Sequence, residues 1–219
     1  NMSEQARLAI VIPTWNDAEG VRETLRGLSN LPAAIQDQIE VVVIDGASAD
    51  ATLEVAAAHS STIDHLVSRS DNGVYDAMNR GVACCRAPWV LFLGAGDLLL
   101  LEGITHALGQ LKSTDTEHAL AYSVQAIEPR EPGVPALFSP RWDATIQWRS
   151  TIHHQGLIAP LTWLEERPFN LSFKVLADYA WLLDAHRQRS IVHCHGHHAL
   201  AAVKSGGLSR QFNWSLYVE

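Results

Sequence analysis

Asp97 stands just past the apolar run Trp89-Val90-Leu91-Phe92-Leu93, separated from it only by Gly94-Ala95-Gly96. A segment apolar at every position is covered on both faces, as strands of an α/β sheet are. Ligands of open α/β sheets bind beyond the carboxyl ends of the strands. A carboxylate delivered there by glycine-lined backbone suits a hard divalent cation and a diphosphate. Other polar residues recur at such strand ends. Thr14-Trp15-Asn16 follows the apolar stretch ending at Pro13, and Asp45 closes Ile39-Glu40-Val41-Val42-Val43-Ile44. Asp71-Asn72-Gly73 forms a turn before a helix. Taken alone, Asn16 reads first as a helix cap, and a loop or cap role is the lesser alternative for Asp45.

The elements that must place these residues follow from apolar spacing. Strands are expected at 7–13, 39–44, 63–68, 89–93 and 120–127. Helices are expected at 18–28, with Val21, Leu25 and Leu28 inward, and from 50 or 51 to about 59. A further helix past Gly73 carries Tyr75, Met78 and Val82 on one face, and Gly81 inside it marks a close neighbour. Another spans 102–111 with Ile104, Leu108 and Leu111 inward. Pro13 reads as the end of the first strand. Successive strand–loop–helix units with right-handed crossovers imply a mostly parallel sheet flanked by helices. The run Pro129-Arg130-Glu131-Pro132-Gly133-Val134-Pro135 reads as a hairpin or loop between two halves of one domain, about 6–128 and 140–219.

The second half is less regular. His153-His154-Gln155-Gly156 opens a strand over 156–159, and 199–203 is a last strand. Trp142, Trp148 and Trp163 suit sugar rings, membrane interfaces or plain packing. On one strand His193, His195 and His197 share a face, which could build a zinc site. Consecutive alternating ligands converge poorly on one ion, so ordinary edge or surface histidines are the simpler reading.

The chain has 219 residues, 47% of them hydrophobic and 18% charged, as in a globular protein with a sizeable core. Its formal net charge of −8 argues against nucleic-acid binding, because there is no basic excess to displace counterions. The three cysteines, Cys84, Cys85 and Cys194, have no metal-type spacing and read as reduced thiols of a cytosolic protein. No secretory signal is visible, and no apolar run approaches the roughly 20 residues of a membrane span.

The segment from Asp71 to Gly81, with Asp71, Gly73, Ala77, Asn79 and Gly81 in register, resembles the D-x-G-x-x-x-A-x-N-x-G helix of family-2 glycosyltransferases of the GT-A fold. Val11-Ile12-Pro13-Thr14-Trp15-Asn16 resembles that family's V-I-P-T-Y-N opening, and Asp45-Gly46-Ala47-Ser48 its V-D-D-G-S segment. Gly94-Ala95-Gly96-Asp97 stands where the family carries its D-x-D metal motif; only the last carboxylate is kept. His154-Gln155 followed by Ala177-Asp178-Tyr179 is similar to bacterial capsule and colanic-acid assembly transferases, and Gly206-Gly207-Leu208-Ser209 resembles the family's glycine-rich loop.

The resemblance implies transfer of a sugar, with inversion, from a nucleotide-diphosphate donor (UDP-sugars above all) to a glycan or lipid-linked acceptor in cell-surface polysaccharide synthesis. It implies Asp178 as catalytic base, Asp97 as ligand of Mn²⁺ or Mg²⁺, and His154 and Gln155 near acceptor or diphosphate. Pro13, Thr14, Asn16, Asp45, Asp71, Gly73, Asn79, Ala95 and Gly96 would bind the nucleotide. It also implies a cytoplasmic enzyme working at the inner face of the plasma membrane. The apolar flanks Val175, Leu176, Ala177 and Trp181 predict an Asp178 pKa raised by desolvation. Loss of the first carboxylate keeps open a non-catalytic GT-A module binding a nucleotide, glycan or partner protein. A dinucleotide oxidoreductase fits worse, because no G-x-G-x-x-G follows the first strand. A pyrophosphorylase would need a glycine- and arginine-rich phosphate loop in place of Pro13-Thr14-Trp15-Asn16.

Overall fold

The computed structural model describes residues 6–127, 135–188 and 190–204. In chain order the first half holds β1 (Leu8–Thr14), α1 (Ala18–Ser29), α2 (Ala33–Gln36), β2 (Ile39–Asp45), α3 (Thr52–Ala58), β3 (His65–Ser68), α4 (Val74–Cys84) and β4 (Trp89–Phe92). The rest is β5 (Leu98–Leu99), α5 (Leu101–Leu111), β6 (His118–Ala126), β7 (Leu137–Phe138), β8 (Leu157–Pro160), α6 (Leu161–Glu166), α7 (Ala177–Arg187) and β9 (Ile191–Val203).

β1 is buried at every position and feeds two cores. Leu8, Ile10 and Ile12 pack with Val21, Leu25 and Leu28 of α1 and with Ile104, Leu108 and Leu111 of α5. Ala9 and Val11 pack with Tyr75, Met78 and Val82 of α4 and with Trp181 and Leu182 of α7. Each fully buried aliphatic side chain contributes roughly 1.5–3 kcal/mol, so this two-sided strand anchors both helical layers. The close approach marked by Gly81 is real: a Cβ there would lie 2.3 Å from Val11 Cγ1.

The sheet runs β3-β2-β1-β4-β8-β6-β9-β5, with β7 paired to β6. The first four strands are parallel, as expected from the strand–loop–helix units. β8 runs antiparallel to both β4 and β6, while β6 and β9 are parallel. Reversal of β8 is what builds the site. Leu91 pairs with Ile158 and Trp89 with Pro160, so the start of β8 lies at the carboxyl end of β4.

Pro13 does not end β1, which continues through Thr14. Its missing N–H falls on the β4 side, where pairing has already stopped at Val11↔Phe92. The third strand is shorter than expected, because Asp64 leaves it to accept the Val41 N–H at 2.8 Å. The histidine segment and the expected last strand fuse into β9, and the register jumps from Tyr122↔His195 to Ser123↔Ala199. The irregularity breaks the alternation: His198, not His197, joins His195 against His106, at centroid distances of 4.0 and 5.0 Å. No group of three or more His, Cys, Asp or Glu among the described residues could hold a metal ion.

The proline-rich run, apart from Pro135, and the Gly206–Ser209 loop lie outside the described residues. β6 and β7, which flank that run, pair antiparallel. Among the described residues no helix is long and apolar enough to cross a membrane.

Candidate functional site

The turn after β4 is pinned by α1. Thr24, buried on that helix, donates to the Asp97 carbonyl at 2.8 Å and accepts from the Gly96 N–H at 2.9 Å. Gly96 sits at φ +88°, a conformation glycine adopts without a Cβ clash. Gly94 leaves room for Asp97 to fold back, since a Cβ on it would stand 2.8 Å from Asp97 Oδ2. Asp97 is 6% exposed. Its Oδ2 accepts from Gly94 N–H at 3.0 Å and Gln155 Nε2 at 3.3 Å, and its Oδ1 from the Lys204 N–H at 3.2 Å. Burial pushes its pKa up despite the Gln155 hydrogen bond and nearby His154. The Lys204 ammonium is turned away to Glu23.

A buried carboxylate left short of positive charge invites a cation. Gln155 Oε1, beside it, is buried and accepts no hydrogen bond. One carboxylate and one amide oxygen fit a hard divalent ion, whose remaining positions phosphate oxygens and water can fill.

His154 and Gln155 form a 3₁₀ turn, His154–Gly156, that leads into β8. Gly156 is required there, because a Cβ would meet the Tyr122 carbonyl at 2.4 Å. The two side chains reach opposite ways: Gln155 to Asp97, and His154 Nδ1 to Asp178 Oδ2 at 3.1 Å. Asp178 lies in the first turn of α7. Its Oδ1 accepts from Tyr75 Oη and from the Tyr179 N–H, both at 2.9 Å. Burial raises its pKa, as the apolar flanks predict. The His154 hydrogen bond and charge, with the donors Tyr75 and Tyr179, outweigh burial, so the net shift is downward. The expectation of a raised Asp178 pKa is therefore corrected: the carboxylate is held ionised. His153, whose ring lies 4.5 Å from that of Phe138 while the residue stays exposed, has its pKa lowered by desolvation and by neighbouring His154.

The strand ends of β1 and β2 form the other side. Trp15 is 68% exposed, and Asn16 has φ 49°. Asn16 Oδ1 accepts the Ala49 N–H at 2.8 Å, and its own N–H donates to Ser48 Oγ at 2.7 Å. Asp71 accepts from the Gly73 N–H at 2.9 Å, and Gly73, at φ 113°, is the N-cap residue that precedes α4. Trp15 and Asp71 converge over Gly46: a Cβ there would lie 3.2 Å from Trp15 Cδ1 and 2.8 Å from Asp71 Oδ2. Thr14 Oγ1 is buried without a hydrogen-bond partner. Ala95 is half-buried in the turn after β4.

Three of the nucleotide candidates are engaged elsewhere in this structure. Asp45 has no exposed surface, and its carboxylate is occupied by the Ser48 N–H and by the hydroxyls of Ser48 and Ser68. It is the last residue of a central strand, paired to Thr14 and Ser68, and it binds its own loop together. Asn79 spends both ends of its amide on Phe169, donating to the carbonyl and accepting from the N–H, each at 2.9 Å. Pro13 is buried within β1. Conversely, Tyr75 and Thr24 escaped the sequence reading, because an aromatic and a hydroxyl on inward helix faces look like core. Trp163 is core packing, while Trp148 is 84% exposed.

Residues 9–158 match the family model for glycosyl transferase family 2. A PGL/p-HBAD biosynthesis glycosyltransferase of Mycobacterium bovis is 28% identical over 209 residues, covering 92% of this chain and 78% of that protein. S. aureus TarS 1–349 in complex with UDP-GlcNAc superposes with a TM-score of 0.72 at 20% identity, over 95% of this chain and 61% of that one. Glucosyl-3-phosphoglycerate synthase from Mycobacterium tuberculosis, solved with Mn²⁺, UDP and phosphoglyceric acid, superposes with a TM-score of 0.64 at 16% identity, over 94% of this chain and 73% of that one. At these identities the likeness to the solved structures is one of fold, the GT-A fold.

Proposed function

The chain belongs to glycosyl transferase family 2 and is a nucleotide-sugar-dependent glycosyltransferase, and from that premise we propose an inverting enzyme that moves a sugar from a UDP-sugar to a hydroxyl of a glycan or lipid-linked acceptor in cell-surface glycan assembly. One observation carries the reading: adjacent residues of one turn, His154 and Gln155, hold the two carboxylates such a reaction needs, Asp178 and Asp97. The UDP complexes of TarS and of the mycobacterial synthase support the donor class. The mycobacterial relative named as a PGL/p-HBAD biosynthesis glycosyltransferase supports a biosynthetic glycosyl-transfer role.

In this reading residues 6–128 hold the donor and 140–219 face the acceptor. Trp15 and Asp71, converging over Gly46, flank the base, and the Thr14 hydroxyl offers the unspent hydrogen bond. The Gly94–Gly96 turn beside Asp97 would face the diphosphate. A divalent cation (Mn²⁺ or Mg²⁺) held by Asp97 and Gln155 Oε1 supplies, when bound, charge neutralisation on the leaving diphosphate worth several kcal/mol. Asp178 takes the proton of the attacking hydroxyl. Oδ1 already receives two hydrogen bonds and Oδ2 one, so the free lone pair that receives the proton is on Oδ2. A single base with in-line attack inverts the anomeric carbon.

The test combines calorimetric binding of UDP, GDP and TDP with turnover on an undecaprenyl-diphosphate-linked sugar. UDP is expected to bind most tightly and the product to be inverted. Asp178→Asn is expected to lose roughly 10²–10⁴-fold in turnover while binding UDP normally. Preference for GDP or TDP overturns the donor class, a retained anomer overturns the in-line displacement, and wild-type turnover of Asp178→Asn overturns the base. Activity confined to soluble acceptors overturns the lipid-linked substrate.

A further inference from the structure

Tyr75 and Asp178 stand 103 residues apart in sequence, on α4 and α7, and meet through one hydroxyl. The Tyr75 Oη lies within hydrogen-bond reach of two acceptors, Asp178 Oδ1 and the Val175 carbonyl. A phenol has one proton to donate, so the two acceptors compete for it. We propose that Tyr75 is a positioning residue for the base, whose hydroxyl fixes the Asp178 carboxylate while it is ionised and turns to the Val175 carbonyl when the carboxylate takes a proton.

The ring of Tyr75 is packed in the core, 5.5 Å from that of Phe169, so only the O–H can move. The Val175 carbonyl is the nearer acceptor, at 2.5 Å against 2.9 Å for Oδ1, but a charge-assisted bond is roughly twice as strong as a neutral one, so the ionised carboxylate draws the proton. When the acceptor's O–H bond breaks and a new O–H bond forms at Asp178 Oδ2, that advantage is lost. The carbonyl then keeps the Tyr75 hydroxyl satisfied, so neither protonation state strands a buried donor. Tyr75 retains its own proton throughout, because burial and the Asp178 charge raise its pKa. The groups facing Asp178 are Tyr75 from α4, His154 from the turn before β8 with His153 beside it, and the Tyr179 N–H from α7 itself. Tyr75 is also two residues past Gly73, so the rigid element that begins at the donor-side turn sets the orientation of the base.

The inference rests on Asp178 being the base, and the test separates the two ideas. Tyr75→Phe keeps the ring and removes only the hydroxyl. The carboxyl ¹³C titration of Asp178, assigned with Asp178→Asn, is followed together with UDP affinity and with UDP release from UDP-GlcNAc with water as acceptor. In Tyr75→Phe the titration midpoint is expected to rise, turnover to fall roughly 10- to 100-fold as for loss of a charged hydrogen bond, and UDP affinity to stay within about twofold of wild type. An unmoved midpoint overturns the inference, as does a loss of UDP affinity that matches the loss of turnover. If UDP-GlcNAc is not turned over, the titration decides alone. Wild-type turnover by Asp178→Asn removes the base and the inference together. An inactive Asp178→Asn beside a fully active Tyr75→Phe removes the inference only.

Discussion

Asp97 offers a measurable conflict between stability and function. Its carboxyl is buried and its pKa raised above the ordinary 3.8. Below 3.8 both folded and unfolded chains hold the proton; between 3.8 and the raised value only the folded chain does. Stability linked to Asp97 therefore falls as pH rises through that window and stays lower above it. A divalent cation bound with the nucleotide reverses the penalty. At ligand concentrations about 100 times Kd, binding adds about 2.7 kcal/mol. For a chain of this size each kcal/mol moves Tm by roughly 2–4 °C, which gives a rise of roughly 5–11 °C. Mn²⁺ alone should shift Tm little, because no three acidic, histidine or cysteine ligands converge among the described residues and the diphosphate must complete the shell. Differential scanning fluorimetry with Mn²⁺, UDP and both, at pH 7, on wild type and Asp97→Ala measures this. Each shift is read against its own ligand-free baseline, since Asp97→Ala also strands the Gly94 and Lys204 N–H groups. A Mn²⁺-dependent shift of wild-type size in Asp97→Ala would refute the reasoning and place the cation elsewhere.

Two further substitutions test the packing that positions the site. Asn79→Ala leaves the N–H and carbonyl of Phe169 without partners, and denaturant unfolding should report a loss of roughly 2–4 kcal/mol; UDP affinity of the folded protein should not change, whereas a selective loss of UDP binding would return Asn79 to the nucleotide. Gly81→Ala drives a methyl to 2.3 Å from Val11 Cγ1 and should cost about 1–3 kcal/mol. Adding Val11→Ala should recover part of that loss, and a purely additive double variant would mean the clash is not its source.

What could be read from the sequence depended on whether a residue's partner was local. β1, β2 and β4 were legible because strands buried on both faces are apolar at nearly every position, Glu40 of β2 excepted, and α1, α4 and α5 because one face repeats at helical spacing. Two-residue strands such as β5 and β7 leave no periodic trace. Strand direction leaves none either, and that hid the most informative contact. Nothing in Leu157-Ile158-Ala159-Pro160 says that it runs against β4, yet only that reversal carries His154 and Gln155 to Asp97. Asp45 and Asp97 both read as ligand carboxylates at strand ends. The serines that occupy the Asp45 carboxylate lie on its own loop and on β3, and a hydroxyl committed inward looks in sequence like one free to bind.

Asp178 shows the same limit in its electrostatics. Its neighbours in sequence are apolar and argue for a raised pKa, but its neighbours in space are donors and win. A carboxylate held by Tyr75 and His154 is fixed and ionised before any acceptor arrives, and with only Oδ2 left open it can take a proton from one direction. That directional opening, more than an elevated pKa, is what suits Asp178 to deprotonate a hydroxyl aligned with a departing diphosphate.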